Sequence, residues 1–252
     1  MVSGSKRDEL FNDLATVGKA LANPNRLKII DLLSQAEYSV DAIATELRTG
    51  VTTISAHLQV LKAASVVATR SEGTKVIYRL AGDDVAHLYA ALGAVARSHS
   101  AQVARSLEDY LAGELAETSE AGPAGVDEHS GGEAEVKQVT KAELERRLNE
   151  GNITLIDVRS PIEYAAGHIG GAVSIPYSEL VERLEEISAL TSLGFEADGQ
   201  PRSEHQIVAY CRGAHCVLAH EAVRILNAHG YHAVRLEEGF LEWRIAGKAV
   251  EV

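Results

Sequence analysis

Residues 51–80 read VTTISAHLQVLKAASVVATRSEGTKVIYRL, and this stretch changes its periodicity half-way along. Its first half repeats apolar side chains at helical spacing, with Ile54, Leu58 and Leu61 on one face. Its second half has two β-branched runs separated by a glycine turn, which is typical of a hairpin. The stretch therefore predicts a helix over 51–64 followed by two antiparallel strands.

The residues before this stretch predict three further helices. Apolar residues recur at helical spacing over 10–21, and Asn23-Pro24 then begins a second helix, because proline fits the first helical turn. Ser39 can cap a short third helix. A tight turn at 48–50 joins it to the helix over 51–64, so the pair predicts a helix-turn-helix with the hairpin as its wing. The second helix is expected to bury Leu27, Ile30, Leu32 and Leu33.

The residues after the hairpin predict one long helical stretch, from about Asp83 to Leu115. One face of this stretch is rich in alanine, and small side chains let helices approach closely. We therefore expect it to close the domain and to pack against other helices, including those of a second subunit.

The outward face of the helix over 51–64 carries polar side chains. A DNA-reading helix buries one side and presents hydrogen-bonding side chains to base edges in the major groove with the other. Gln59 is long enough for a bidentate contact with adenine. The alternative is a small helical bundle with a solvated face, but the basic hairpin favours DNA. The predicted DNA-binding residues are Thr52, Thr53, Ser55, His57, Gln59, Lys62, Arg70, Lys75 and Arg79.

Charge is distributed unevenly along the 252 residues. The 24 Lys and Arg against 36 Asp and Glu give a net charge of −12, which by itself argues against binding to phosphates. Residues 1–116, however, hold 12 basic and 13 acidic side chains, whereas 117–252 hold 12 and 23. Residues 48–79 have five basic side chains against Glu72 alone, so a local charge of +4 coincides with the predicted DNA-binding surface.

Residues 117–136, ETSEAGPAGVDEHSGGEAEV, combine glycine, proline, serine and acidic residues, which is the composition of a linker. We therefore predict two domains, over 1–116 and 137–252. No run approaches the ~20 apolar residues that a membrane helix needs, and the N-terminus lacks the apolar core of a secretion signal. We expect a cytoplasmic protein with no membrane partner.

The second predicted domain alternates strands and helices. Such alternation is typical of an α/β domain with a mainly parallel sheet that is covered on both faces. Residues 191–206 form a polar loop that is longer than most connections. The predicted strands are 153–158, 172–177, 207–211 and 233–237, and the predicted helices are 140–149, 178–190 and 217–229.

The two cysteines of the chain, Cys211 and Cys216, lie between a predicted buried strand and a predicted helix. In open α/β sheets, ligands bind beyond the carboxyl ends of the strands. A loop at this place can direct backbone N–H groups at an anion, and Arg212 would add a positive charge, so a thiol there should ionise readily. Cys211 is thus a candidate nucleophile, and the alternative is a buried, inert side chain.

Over about 9–116 the chain resembles the ArsR/SmtB family of bacterial repressors. The resemblance rests on KALANPNRLKIIDLL, SVDAIATEL, TTISAHLQVLKAASVV and RSEGTKVIYRL, in which SAHLQVL is similar to the recognition-helix signature of the family. It implies a homodimer that packs through its first and last helices. It also implies binding to an inverted repeat in double-stranded operator DNA, which the protein leaves when its signal arrives.

Many members of this family sense metals through cysteines, or through Asp, His and Glu side chains on the last helix. This chain has no cysteine before Cys211, and the spacing of Asp84, His87 and His99 departs from the family pattern. We therefore expect no metal site there, no cofactor, and a sensor elsewhere in the chain.

Over about 138–250 the chain resembles the rhodanese sulfurtransferases. The resemblance rests on IDVRSPIEYAAGHIGGAVSIPY and on the closing motif EGFLEWRIAG. The six-residue loop matches the sulfur-carrying class, whereas a Cys-x5-Arg phosphatase is excluded because Val217 stands at the arginine position. The resemblance implies a persulfide on Cys211, an anion-binding loop of Arg212, Gly213, Ala214 and His215, and loop support from Asp157, Arg159 and His168.

Cys216 departs from the rhodanese pattern, which often has a basic or hydroxyl residue at this position. A thiol there can attack a persulfide on Cys211 to give a disulfide or a polysulfide bridge, or it can merely fill the first helical turn. We predict a homodimeric repressor whose rhodanese domain takes sulfur from thiosulfate, a persulfide or a polysulfide and so lowers the affinity for DNA. The alternatives are a sulfurtransferase with an accessory DNA-binding domain, and a metal or metalloid sensor that uses Cys211, Cys216 and His215.

Overall fold

The computed structural model describes residues 4–119, 136–151, 153–192 and 206–252. The chain divides into two compact units, Met1–Ala94 and Val95–Val252. Most of the predicted linker over 117–136 and most of the predicted polar loop over 191–206 lie outside the described residues, so both stay predictions.

The first unit has the winged helix-turn-helix order that the sequence predicts. Its elements are α1 (Gly4–Leu21), α2 (Pro24–Leu33), β1 (Tyr38–Ser39), α3 (Val40–Glu46), α4 (Val51–Ala63), β2 (Val67–Glu72), β3 (Lys75–Leu80) and the start of α5 (Asp83–His99). The three strands pair antiparallel in the order β1-β3-β2. The turn between α3 and α4 contains Arg48, whose φ is +46°.

Two helices of the first unit have side-chain caps at their N-termini, and the cap of α3 is the predicted one. The Asn23 side chain accepts hydrogen bonds from the backbone N–H groups of Asn25 and Arg26, and Pro24 occupies the first turn of α2. The Ser39 hydroxyl oxygen accepts from the N–H of Ala42 at the start of α3. These bonds satisfy N–H groups that have no partner within their own helix.

Two details of the first unit and its neighbouring helix differ from the prediction. Leu27 is half-buried, and Ile29 instead joins the fully buried face of α2. The predicted stretch over 83–115 is two helices, α5 and α6 (Ala101–Ser119), which are separated at Ser100. The hydroxyl oxygen of Ser100 accepts from the N–H of Val103, as the side chain of an N-terminal cap does. It therefore competes with a backbone carbonyl for this N–H group.

The second unit contains a five-stranded parallel sheet in the order β4-β9-β8-β5-β7, which confirms the predicted α/β class. Strands β6 and β10 form a separate antiparallel pair. After α6 the elements are β4 (Gln138–Val139), α7 (Lys141–Glu150), β5 (Ile153–Asp157), α8 (Pro161–Ala166), β6 (His168–Ile169), β7 (Val173–Ser174), α9 (Leu184–Ser192), β8 (Gln206–Tyr210), α10 (Leu218–Ala228), β9 (Ala233–Leu236), α11 (Phe240–Ile245) and β10 (Val250–Glu251).

The segment after β6 is less regular than predicted. Strand β7 covers only Val173–Ser174 instead of 172–177, although the N–H groups of Ile175 and Tyr177 still donate to the carbonyls of Asp157 and Val158, both at 3.0 Å. The predicted helix over 178–190 begins as a 3₁₀ turn, Tyr177–Glu179, and becomes α-helical only at Leu184.

Strand β8 is buried along its whole length and separates two cores. Successive side chains of a strand point to opposite faces, so Ile207 and Ala209 pack with α9 and α10 while Val208 and Tyr210 pack with α7 and α11. Cys211 follows directly and belongs to the first of these cores. The parallel sheet therefore places Cys211 at the carboxyl end of its central strand. No helix in the described part of the chain is long and apolar enough to cross a membrane.

Candidate functional site

Helix α4 presents the predicted DNA-reading face to solvent. Ile54, Leu58 and Leu61 are fully buried against the helices of the first unit. Ser55 and His57 are half-buried, and the His57 Nε2 atom lies 3.4 Å from the Asn25 Nδ2 atom. The exposed predicted residues of α4 are Thr52, Thr53, Gln59 and Lys62.

The predicted basic residues of the wing, Arg70, Lys75 and Arg79, are all exposed. The Arg70 guanidinium lies 2.5 Å from a carboxylate oxygen of Glu72 and 2.5 Å from one of Glu37. Glu37 precedes β1, 33 positions earlier in the chain, so the local charge count over 48–79 misses it. Without DNA, two carboxylates compensate the charge of Arg70, whereas the local charge count indicates only one.

The wing is also tied to α4. The Lys62 ammonium donates to the Thr69 hydroxyl oxygen on β2 at 3.1 Å. Gly73 forms the hairpin turn with a φ of +59°, a conformation that residues with a Cβ rarely adopt. Helix α4 and the two wing strands thus present one continuous set of polar and basic side chains.

In the second unit, Cys211 and Cys216 are joined by a disulfide, with their Cα atoms 6.2 Å apart. Cys211 is 2% exposed, whereas Cys216 is half-buried at the end of the loop that leads into α10. Within this loop the N–H of Cys216 donates to the carbonyl of Gly213 at 3.0 Å. The six-residue segment 211–216 is called the cysteine loop below.

The start of α11 holds the cysteine loop in place. The N–H of Phe240 donates to the carbonyl of Cys211 and the N–H of Leu241 donates to the carbonyl of Arg212, both at 2.9 Å. A Cβ atom on Gly239 would lie 2.6 Å from the Cys211 carbonyl oxygen and would also clash with the backbone of Gly213. Only glycine permits this close approach of the two backbone segments.

Two buried carboxylates contact the cysteine loop, and sequence reasoning missed the role of both. Glu163 on α8 has no exposed surface and lies 2.5 Å from the Arg212 Nε atom. Glu242 on α11 is 9% exposed and accepts from the N–H groups of Gly239, at 3.0 Å, and Ala214, at 3.3 Å. Arg212 and the Ala214 amide are therefore already engaged by carboxylates of the protein itself.

His215 is exposed on the outer side of the loop. Its Nε2 atom lies 2.8 Å from the Arg97 guanidinium near the end of α5. Desolvation, followed by the positive charge of Arg97, lowers the pKa of His215 below its usual value.

Asp157, Arg159 and His168 contact the framework around the loop. Asp157 and Arg159 form an ion pair in which neither side chain is exposed, and the Arg159 guanidinium carbon lies 3.9 Å from the ring centroid of Phe240. The His168 ring stacks on Tyr164 at a centroid distance of 3.8 Å. These contacts connect β5, α8 and α11, and the role of the three residues in supporting the loop stays a prediction.

Among the described residues, no three His, Cys, Asp or Glu side chains are grouped so that they could hold a metal ion. The expectation that Asp84, His87 and His99 hold no metal stays a prediction.

Comparison with known proteins identifies both units. The model described as "Bacterial regulatory protein, arsR family" matches residues 23–69, and "Rhodanese-like domain" matches 140–246. The HTH-type transcriptional regulator Rv0324 of Mycobacterium tuberculosis is 44% identical over 246 residues, which are 98% of this chain and 93% of that protein. The chain belongs to the arsR family. Within this family it carries a rhodanese domain after the helix-turn-helix domain.

Other similar proteins match one domain of this arsR-family regulator. Human thiosulfate:glutathione sulfurtransferase is 33% identical over 106 residues, which are 42% of this chain and 90% of that protein. A solution structure of a homodimeric winged helix-turn-helix DNA-binding domain from Mycobacterium bovis is 46% identical. It covers 40% of this chain and 94% of its own, with a TM-score of 0.38.

Proposed function

We propose that this arsR-family regulator binds operator DNA as a homodimer, in the cytoplasm, and loses affinity for it when reactive sulfur oxidises Cys211 and Cys216 to a disulfide. The observation that carries the proposal is the bridge itself. The two cysteines of the chain are joined within one loop of the rhodanese domain, at the carboxyl end of a central strand where ligands bind.

The chemistry needs two exchange steps. The Cys211 thiolate attacks the outer sulfur of a hydropersulfide, RSSH, which gives Cys211–S–SH and releases RS⁻. The Cys216 thiolate then attacks the Cys211 sulfur, forms the disulfide and expels HS⁻. The sum is RSSH plus two protein thiols giving one disulfide, RSH and H₂S. The two protein thiols lose two electrons and the persulfide gains them.

The DNA-binding part of the proposal rests on α4 and the wing. The exposed side chains of Thr52, Thr53 and Gln59 suit base edges or phosphates, and Lys75 and Arg79 suit the backbone on either side. Ser55, His57 and Lys62 belong to the same face.

Dimerisation is supported by apolar side chains that a single protomer leaves exposed. Leu10 and Leu14 on α1 are 56% and 58% exposed, and Val95 on α5 is 58% exposed. Burying such side chains is favourable by about 1.5–3 kcal/mol each, so a second copy of the chain is the partner that we propose for these helices. Phe11, Leu88 and Leu92 extend the same exposed apolar set.

Helix α5 provides a path from the cysteine loop to the DNA-binding unit. It runs over Asp83–His99, so its first residues belong to the first unit and its last residues to the second. Arg97, in the second unit, contacts His215 of the cysteine loop. A rearrangement of the loop on bridging would change this contact at the end of a helix that begins beside the wing.

The test compares DNA binding of the reduced and donor-treated full-length chain, with duplexes that the reduced protein selects from a random library. We expect glutathione hydropersulfide to weaken binding at least tenfold in the native chain. Cys211→Ser should not respond, and Cys216→Ser should accumulate a Cys211 persulfide, seen by mass spectrometry, without the full response. A Cys211→Ser protein that still leaves DNA on donor treatment would contradict the proposal.

The second candidate function is sulfur transfer as an enzyme, which the similarity to thiosulfate:glutathione sulfurtransferase favours. In that case Cys211 would pass sulfur to an acceptor thiol in steady turnover. Fast turnover of thiosulfate together with unchanged DNA binding would support this candidate over the regulator.

A further inference from the structure

The charges around the cysteine loop differ from those that its sequence indicates. Sequence reasoning assigned Arg212 and the loop amides to the binding of an anion. In the structure Arg212 lies against the fully buried Glu163, and the Ala214 amide donates to Glu242. An ideal Cβ on Gly213 would lie 3.2 Å and 3.3 Å from the two Glu242 carboxylate oxygens, so this carboxylate sits directly against the loop backbone.

The buried charges next to the loop do not cancel. The positive charge of Arg212 is compensated by Glu163, which leaves the 9% exposed Glu242 carboxylate as a buried negative charge against the loop. Arg97 also lies near the loop, but it contacts His215, whose side chain is exposed, so its charge is less buried than that of Glu242. Salt screens buried charges much less than exposed ones. The Glu242 carboxylate should therefore affect an anionic sulfur donor at the loop more strongly than Arg97 does.

We infer that Glu242, together with the neutralisation of Arg212 by Glu163, makes the cysteine loop select against dianionic sulfur donors and in favour of hydropersulfides. This inference rests on the proposed function, because it names the donor class for Cys211. Thiosulfate carries two negative charges, which the Glu242 carboxylate against the loop backbone would repel. A hydropersulfide brings one charge or none.

The two donors react with Cys211 by equivalent steps, so the property that distinguishes them is their charge. With thiosulfate, the Cys211 thiolate attacks the outer sulfur, its S–S bond breaks and sulfite leaves with the electron pair. With a hydropersulfide, the same attack releases a thiolate RS⁻. Both reactions leave a persulfide on Cys211 that Cys216 can resolve into the disulfide. The carboxylate of Glu242 opposes the approach of the thiosulfate dianion, and it opposes the approach of a hydropersulfide less because that donor carries less charge.

The experiment measures disulfide formation in the reduced full-length chain, with sodium thiosulfate and with glutathione hydropersulfide as the two donors. The readout is the ratio of the two second-order rate constants, from mass spectrometry of quenched samples. Glu242→Gln removes the charge and keeps an acceptor oxygen for the loop amides. Glu163→Gln keeps a side chain that can take part in the capping box of α8, but it removes the carboxylate that compensates the positive charge of Arg212. Glu185→Gln, on the exposed start of α9, is the matched control.

We expect the native chain to prefer glutathione hydropersulfide and both test variants to shift the rate ratio towards thiosulfate by about tenfold, the effect of one like charge in a partly buried site. The control should leave the ratio unchanged.

A native chain that prefers thiosulfate would overturn the inference, as would a folded Glu242→Gln or Glu163→Gln protein with an unchanged ratio. If one variant does not fold, the other variant decides. The proposed function fails separately, if disulfide formation by either donor leaves DNA affinity unchanged.

Discussion

Gly239→Ala tests whether the start of α11 holds the cysteine loop. The new Cβ atom would clash with the backbone of Gly213 and lie 2.6 Å from the Cys211 carbonyl oxygen, so one of the two segments must move. Movement weakens the hydrogen bonds from Phe240 and Leu241, which are worth about 0.5–1.5 kcal/mol each, and overpacking adds about 1–3 kcal/mol. We expect a total loss of about 3 kcal/mol in the free energy of unfolding, which is roughly a 100-fold change in the equilibrium constant.

The protein supplies its own reporter for this measurement, because Trp243 is the single tryptophan and lies buried on α11. Its fluorescence during urea unfolding follows the second unit. Gly213→Ala is a graded comparison, since its Cβ would meet only the Glu242 carboxylate, at 3.2 Å, and no backbone atom, so it should cost less. Gly18→Ala has open space around it and should not shift the tryptophan transition. If the free energy of unfolding of Gly239→Ala lay within about 0.5 kcal/mol of the native value, the start of α11 would not hold the cysteine loop as described.

Three further predictions concern charges. Glu37→Gln should remove one of the two carboxylates that compensate Arg70 and strengthen DNA binding a few-fold in a gel-shift assay at low salt, and Arg70→Ala should remove the gain. Arg97→Ala removes the contact to His215 and should leave donor-induced disulfide formation intact while reducing the loss of DNA affinity. The pKa of His220 is lowered, first by burial and then by neighbouring arginines, so its contribution to stability is complete above its unfolded pKa, near 6.5, and is lost as the pH falls through the folded value. Unfolding of the native chain should therefore become easier from pH 7.5 to 5.5, and His220→Gln should flatten this dependence, whereas an equal slope in both proteins would contradict the assignment.

Much of the fold follows from local patterns in the sequence. The spacing of Ile54, Leu58 and Leu61 predicts the buried side of α4, Ser39 caps α3 as expected, and α2 begins at Pro24 as expected. Where local signals compete, the prediction is less accurate. Hydrophobic spacing alone predicts one continuous helix around Ser100, whereas the structure has two. The Ser100 hydroxyl oxygen accepts a backbone N–H that would donate to a backbone carbonyl in a continuous helix.

Local sequence patterns predict the two-domain class, the polar face of α4, the basic wing and the placement of both cysteines between a buried strand and a helix, because each depends on residues close together in the chain. The charges around those cysteines depend instead on contacts between distant segments. Glu163 reaches Arg212 across 49 positions and Glu242 reaches Ala214 across 28. Such pairs form when the parallel sheet brings α8, α11 and the cysteine loop to one edge. The periodicity of a sequence does not predict which carboxylate contacts which amide or cation.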